Sequence, residues 1–169
     1  MKWVAISGGW RKTNEQVERD VRAVVREIIT KGNGIVSGGA LGVDYIATDE
    51  ALKLNPLATQ IRIYLPTTLE IYAKHYRKMA TKGIITSRQA KELISQLERL
   101  VNANKNALIE NHKNIVVNTD TYYERNTKVI ESTEELVAFH INSSEGTKDT
   151  INKAKQQGIT VKEFVYTIN

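Results

Sequence analysis

Small residues that could form a phosphate-binding turn are concentrated in the segment 34–49, which reads GIVSGGALGVDYIATD. Glycines let a backbone adopt positive φ or come close to another group. The first turn of a helix carries unpaired N–H groups that attract anions. An apolar run, a glycine turn and a helix start therefore predict a phosphate-binding turn. The residues expected in it are Ser37, Gly38, Gly39, Gly42 and Asp44.

The spacing of these glycines differs from that of the common nucleotide motifs. A Walker loop requires a lysine after its last glycine, and the dinucleotide fingerprint requires GxGxxG. The order here is SGGALGVD, so neither motif is present. The alternative interpretation is that the glycines only permit tight packing of a strand on a helix. Function is favoured because a strand, small residues and a helix follow one another twice more in the chain.

The two further units lie near the two ends of the chain. In the first, the apolar run 3–7 ends at a double glycine before a helical pattern. In the other, the strand predicted at 135–141 runs into NSSEGTKDT and then a helix. Hydroxyls and backbone N–H groups of the second turn could complete a phosphate site. The candidate residues of the two turns are Gly8, Gly9, Ser143, Ser144, Gly146 and Thr147.

Strands and helices that could position these turns alternate along the chain. Such alternation predicts a parallel sheet with helices on both faces and right-handed crossovers. A length of 169 residues suits a single domain spanning 1–169. The predicted strands are 3–7, 34–37, 60–65, 135–141 and 161–166. The predicted helices start after Asn14, near Tyr45, after Asp120 and at Lys148.

Two successive helical patterns interrupt this alternation between about residues 69 and 108. The second of them could be capped by Ser87. We interpret the pair as an insertion that covers a sheet edge or forms a lid or a dimer surface. A cluster of aromatic and basic side chains in it either stacks a base and holds phosphate or forms a half-buried helix face. Its members are Tyr72, His75, Tyr76, Arg77 and Lys78.

Composition excludes several classes of site. The chain has no cysteine, which rules out disulfides, thiolate catalysis and cysteine metal ligands. Its three histidines are far apart, so we expect no metal site. The apolar run in MKWVAISGG is too short for a signal peptide or a membrane span, and we expect a cytoplasmic protein without a membrane partner.

The charge of the chain favours anionic partners. The formal net charge is +5 and the isoelectric point is near 9.3. A net positive charge favours binding of nucleotides or nucleic acid, although it indicates only non-specific attraction to anions. The basic residues are spread over several helices, so a mildly basic solvated surface is the alternative.

Three segments, in order, resemble the SLOG superfamily: SGGALGVDYIATDEAL, YYERNTKVIESTEELVAF and SSEGTKDTINKAKQQGI. This group includes DNA-processing protein A and the LOG-type phosphoribohydrolases, and the chain is most similar to small relatives of the former. The resemblance implies a Rossmann-like, doubly wound α/β fold with a mainly parallel sheet. It also implies a nucleotide ligand and a homo-oligomer, since members of the superfamily often assemble.

The resemblance also assigns site residues. Arg125 and Asn126 match a pair that lies near the ligand at the start of a helix, and Gly146 and Thr147 match the GT of a PGGxGTxxE loop in the hydrolases. Thr150 stands where that loop has its glutamate. A carboxylate there would stabilise positive charge on the sugar during glycosidic cleavage, which a threonine cannot do. This departure argues against hydrolysis and leaves binding.

Three functions follow from the sequence. The first is a nucleotide-binding protein that holds a phosphate with its glycine turns at the carboxyl ends of the strands. The second is a nucleoside monophosphate phosphoribohydrolase with Arg125 as the candidate catalytic residue. The third is single-stranded DNA binding. In each case we expect no cofactor beyond a nucleotide ligand.

Overall fold

A computed structural model describes residues 1–169 and contains one six-stranded sheet. The strands are β1 (Trp3–Gly8), β2 (Gly34–Ser37), β3 (Ile61–Tyr64), β4 (Leu108–Ile109), β5 (Glu135–Ile141) and β6 (Thr160–Tyr166). Their order is β4-β3-β2-β1-β5-β6, and every neighbouring pair is parallel. The predicted doubly wound α/β fold is confirmed, with a sheet that is wholly rather than mainly parallel.

Six α-helices connect the strands. They are α1 (Glu15–Thr30), α2 (Val43–Leu54), α3 (Leu69–Thr81), α4 (Ser87–Ala103), α5 (Thr119–Glu131) and α6 (Glu145–Gln156). Asn14 caps α1 as predicted, since its side chain accepts from the Val17 amide at 2.9 Å. Two caps fall one or two residues earlier than predicted, at Thr86 before α4 and at Asn118 before α5. Both have the extended backbone that a capping residue needs.

Helices cover both faces of the sheet because the strands β1, β2 and β5 are apolar on both sides. Val4 and Ile6 of β1 belong to a large cluster that joins the sheet to α1, α2, α3 and α4. Ala5, on the other face, belongs to a smaller cluster with residues of α5 and α6. Near-continuous apolar strands of this kind are typical of parallel sheets buried on both faces.

The predicted insertion at 69–108 is the crossover from β3 to β4. Its helices α3 and α4 pack against the core, with Tyr72, Tyr76, Leu93 and Leu97 almost fully buried. The helices α3 and α4 follow one another with no strand between them, as the sequence predicted. The strand β4 that follows them was not predicted, because it has only two residues and gives too short a pattern to recognise.

The strand order reverses direction at β1, which has β2 on one side and β5 on the other. The connections after β1 and after β5 therefore leave the same sheet edge toward opposite faces. In open parallel sheets, ligands bind in the crevice at this point, outside the carboxyl ends of the strands. No helix combines the length and the apolar composition that a bilayer span requires.

Candidate functional site

A cavity of about 580 Å³ opens at the carboxyl ends of β1 and β5, where the strand order reverses. Its volume lies within the usual range for a small-ligand site. Residues from all three predicted turns and from α5 line it, so the structure brings together segments that are far apart in sequence. The predicted site residues that line it are Gly8, Gly38, Asp44, Arg125, Asn126, Ser144, Gly146 and Thr147.

Five other predicted site residues do not line this cavity. Ser37 is fully buried beneath it, and its hydroxyl donates to the Ile6 carbonyl at 3.2 Å. Gly39 faces the core, and its carbonyl accepts from the Tyr72 hydroxyl at 2.9 Å. These residues shape the turns, and their contact with a ligand stays a prediction. The remaining three are Gly9, Gly42 and Ser143.

Gly9 and Gly42 join the turn after β1 to the start of α2. The Gly9 carbonyl accepts from the Val43 amide at 3.0 Å. Gly42 has a φ of +72°, and a Cβ on it would lie 2.3 Å from the Gly9 oxygen. Only a glycine permits this approach, which positions two of the three turns relative to each other.

In the turn after β2, the Asp44 carboxylate lies where the sequence predicts the phosphate of a ligand. Its Oδ2 accepts from the Ala40 amide at 3.2 Å. Burial raises the pKa of Asp44, and the Arg125 charge and the Ala40 and Gly38 amides only partly offset that rise. Because the protein's own carboxylate takes these amides, a bound phosphate needs donors from elsewhere in the cavity.

Asp44 makes folding stability depend on pH. Since its folded pKa lies above the ordinary value of 3.8, the folded state holds this proton more tightly than the unfolded chain does. The resulting stability is present below pH 3.8 and is lost as the pH rises through the folded pKa.

We therefore expect Asp44→Asn to gain stability relative to the wild type as the pH rises toward neutral. Urea unfolding of both proteins at a series of pH values measures the difference. A difference in unfolding free energy that stays constant with pH would rule this effect out.

Arg125 extends from α5 across the cavity to the turn after β2. Its Nη1 donates to the Gly38 carbonyl, and its Nε donates to Asn126 Oδ1 at 3.1 Å. The guanidinium lies 5.2 Å from the centre of the Tyr122 ring. Its Nη2 makes no hydrogen bond within the protein. The cavity therefore contains a cation that is fixed in position and has a free N–H donor for a ligand.

Contact between Arg125 and the turn depends on the absence of a side chain at Gly38. A Cβ built on Gly38 would lie 2.5 Å from the guanidinium carbon. The sequence placed Gly38 and Arg125 in one site through the resemblance alone, and the structure shows them in direct contact.

The third predicted turn opens α6, which begins at Glu145 rather than at Lys148. Ser144 makes no side-chain cap to the helix, and its hydroxyl donates instead to the Thr147 hydroxyl at 2.7 Å. The first backbone bond of the helix runs from Lys148 to Ser144. The amides of Glu145, Gly146 and Thr147 thus have no acceptor in the protein, and α6 directs its positive end at the cavity.

The backbone before α6 is strained. Asn142 and Ser143 have φ values of +51° and +54°, which few residues other than glycine adopt. The Asn142 side chain holds the turn through two bonds to the Ile168 backbone, at 2.7 and 2.8 Å. Strain of this kind persists where the surroundings fix it, often at binding sites.

Neither Thr150 nor Asp149 supplies a free carboxylate for glycosidic cleavage, whereas Glu145 at the start of α6 lines the cavity unpaired. Thr150 lines the cavity, but its hydroxyl donates to the Gly146 carbonyl at 3.1 Å. Asp149 accepts from Asn126 Nδ2 at 3.1 Å and from Lys153 Nζ at 2.7 Å. Asp149 is therefore engaged by its neighbours and does not replace the missing glutamate.

An aromatic wall completes the cavity. The sequence left the cluster around His75 and Tyr76 open between a base-stacking role and a half-buried helix face. Both residues line the cavity, whereas Tyr72 is buried behind them and stacks edge-on against Tyr76 at 4.8 Å. Burial lowers the pKa of His75, helped by the charges of nearby lysines, so the ring is neutral at pH 7. Trp10, Tyr122 and Tyr123 also line the cavity and were not predicted as site residues.

A family model described as DNA recombination-mediator protein A matches residues 1–168. The DNA processing protein A of Helicobacter pylori, whose structure was solved to study its single-stranded DNA binding mode, is 22% identical with a TM-score of 0.69. That match covers 96% of this chain and 64% of the other, so the chain spans less than two thirds of the length of that solved chain.

Two further solved structures share the fold. The DNA processing protein A of Streptococcus pneumoniae is 16% identical with a TM-score of 0.53, over 95% of this chain and 58% of that one. A protein designated TM1055 is 16% identical with a TM-score of 0.56, over 95% and 72% of the two chains. At these identities the likeness establishes the fold alone. No curated protein matches the chain.

Proposed function

Because the chain belongs to the DNA recombination-mediator protein A family, we propose that its cavity binds a phosphate-bearing nucleotide as one unit of single-stranded DNA. The observation that carries the proposal is that free donors of two kinds line one cavity. Arg125 offers an unpaired guanidinium nitrogen, and the start of α6 offers the amides of Glu145, Gly146 and Thr147. Helix amino ends and guanidinium groups are the donors that phosphates prefer.

The rest of the cavity suits a sugar and a base. Tyr122 and Tyr123 on α5 present aromatic surface in the cavity that contains the proposed phosphate position. Stacking of a base on an aromatic ring contributes about 1–3 kcal/mol and tolerates any base, as single-stranded DNA binding requires. The DNA-binding member of the fold from Helicobacter pylori supports DNA over a free nucleotide as the ligand.

Hydrolysis of a nucleotide is the weaker alternative. A phosphoribohydrolase needs a free carboxylate beside the sugar. Asp44 accepts from the Ala40 amide, and Asp149 from Asn126 and Lys153. Glu145 lines the cavity unpaired, but it stands five residues before Thr150, the position at which the hydrolase loop has its glutamate. We therefore expect binding without turnover.

The proposal is tested by fluorescence anisotropy with a labelled 20-residue oligothymidylate. We expect saturable binding that weakens as salt rises and that unlabelled thymidine dinucleotide competes away at high concentration. Chromatography of the same mixtures, and of adenosine and cytidine monophosphate, is expected to show no free base. Absence of oligonucleotide binding at low salt would refute the proposal, and release of free base would establish the hydrolase instead.

A further inference from the structure

A row of exposed cations runs along α3 beside the cavity. Lys74, Arg77, Lys78 and Lys82 are all exposed, and none makes a salt bridge or a side-chain hydrogen bond. We call these four residues the α3 ridge. By contrast, Arg22 and Lys53, in the first half of the chain, pair with acids on α2. Four unneutralised like charges on one helix repel one another, so an anionic partner would stabilise them.

The α3 ridge borders the cavity along its length. At about 100° per residue, Lys74, Arg77 and Lys78 share one side of the helix, and His75 and Met79 follow next around it. His75 and Met79 line the cavity. The charges of Lys78 and Lys82 help to lower the pKa of His75, after the larger effect of burial, as expected of cations near that ring.

Helix electrostatics explain only part of the α3 ridge. Cations in the last turn of a helix complement its dipole, which accounts for Lys78 and for Lys82 at the C-cap. Lys74 and Arg77 lie further from that end. On its other side the α3 ridge borders a groove of about 340 Å³ between α3 and α4, which is lined by Arg77, by Lys91 and by one acid, Glu98.

We propose that the α3 ridge binds the phosphodiester backbone of single-stranded DNA where the strand leaves the cavity, an inference that rests on the proposed function. Lys74 to Lys82 spans about 12 Å along the helix, at about 1.5 Å per residue. That length is sufficient for the α3 ridge to contact more than one phosphate of an extended strand. On this proposal a strand contacts both the cavity and the ridge, whereas a single nucleotide contacts the cavity alone.

The test compares two triple variants that each lower the net charge by three. K74Q/K78Q/K82Q removes three of the four charges of the α3 ridge and leaves Arg77. K105Q/K155Q/K162Q neutralises exposed lysines that lie before β4, in the last turn of α6 and near the start of β6, away from the cavity. Affinity for a 20-residue oligothymidylate and for thymidine dinucleotide is measured over a series of salt concentrations, with melting temperature as the check on folding.

We expect the ridge variant to bind the oligonucleotide at least tenfold more weakly at low salt. The slope of log affinity against log salt should fall by about 2, since each lost phosphate contact on a single strand removes about 0.7. Its dinucleotide affinity should stay within twofold of wild type, and the control variant should keep the wild-type slope.

An unchanged salt slope in the ridge variant, or an equal loss of oligonucleotide affinity in the control variant, would show that the α3 ridge does not bind the DNA backbone. The cavity would remain the proposed binding site. Failure of the wild type to bind either ligand would instead refute the proposed function, and the ridge with it.

Discussion

Replacing Arg125 by alanine is expected to weaken oligonucleotide binding by about 10- to 100-fold. Hydrogen bonds to charged groups contribute about 1.5–3 kcal/mol, and each 1.4 kcal/mol is tenfold in affinity. Arg125 is the charged donor already fixed in the cavity, by Gly38 and Asn126. Titration of labelled oligothymidylate by anisotropy, with circular dichroism to verify folding, measures the loss.

Two related variants separate the charge of Arg125 from its position. Arg125→Lys keeps the charge without the planar fork and should bind with intermediate affinity. Gly38→Ala keeps the arginine but sets a methyl group 2.5 Å from the guanidinium carbon, so the flexible end of the side chain must shift. We expect Gly38→Ala to fold normally and to lose most of the affinity that Arg125→Ala loses. Wild-type affinity in a folded Arg125→Ala protein would show that Arg125 does not contribute to binding.

Replacing Gly42 by alanine is expected to lower the free energy of unfolding by about 3 kcal/mol. A left-handed backbone costs an alanine about 1–2 kcal/mol, and overpacking adds about 1–3 kcal/mol. The added Cβ would meet the Gly9 oxygen at 2.3 Å and the Trp10 Cα at 2.8 Å, and neither backbone atom can move without displacing the turn. For a chain of this size, we expect the melting temperature to fall by about 6–12 °C.

Gly32→Ala is the matched control for Gly42→Ala. Gly32 also has a positive φ, of +81°, but a Cβ there would meet nothing within 4 Å. Gly32→Ala should therefore lose only the conformational part, about 1–2 kcal/mol. Equal melting temperatures of the two variants would show that the approach of Gly9 to Gly42 carries no energetic weight.

The three turns and their order along the chain could be predicted from the sequence, because each turn lies between an apolar run and a helical pattern. The apolar runs before Gly8, Gly38 and Ser143 are long enough to indicate buried strands, and parallel strands end at one edge. Arg125 had no such signal and entered through the family resemblance, which the family match confirms.

The structure revealed features of the site that the sequence did not indicate. Asp44 was predicted beside a ligand, but nothing in the spacing indicated that its carboxylate would take the Ala40 amide. Tyr122 and Tyr123 lie in a helix whose pattern suits an ordinary half-buried face, and only the strand order brings that helix to the cavity. Side-chain direction depends on tertiary packing, which a one-dimensional pattern does not contain.

The central claim is that a nucleotide phosphate lies between Arg125 and the amino end of α6. Titration of ¹⁵N-labelled protein with thymidine dinucleotide, followed by nuclear magnetic resonance, tests it most directly. We expect the largest shifts at the amides of Gly146 and Thr147 and at Arg125 Nε, because a phosphate there accepts from the first and lies beside the second. Shifts confined to other parts of the chain, with these three signals unmoved under saturation, would contradict the claim.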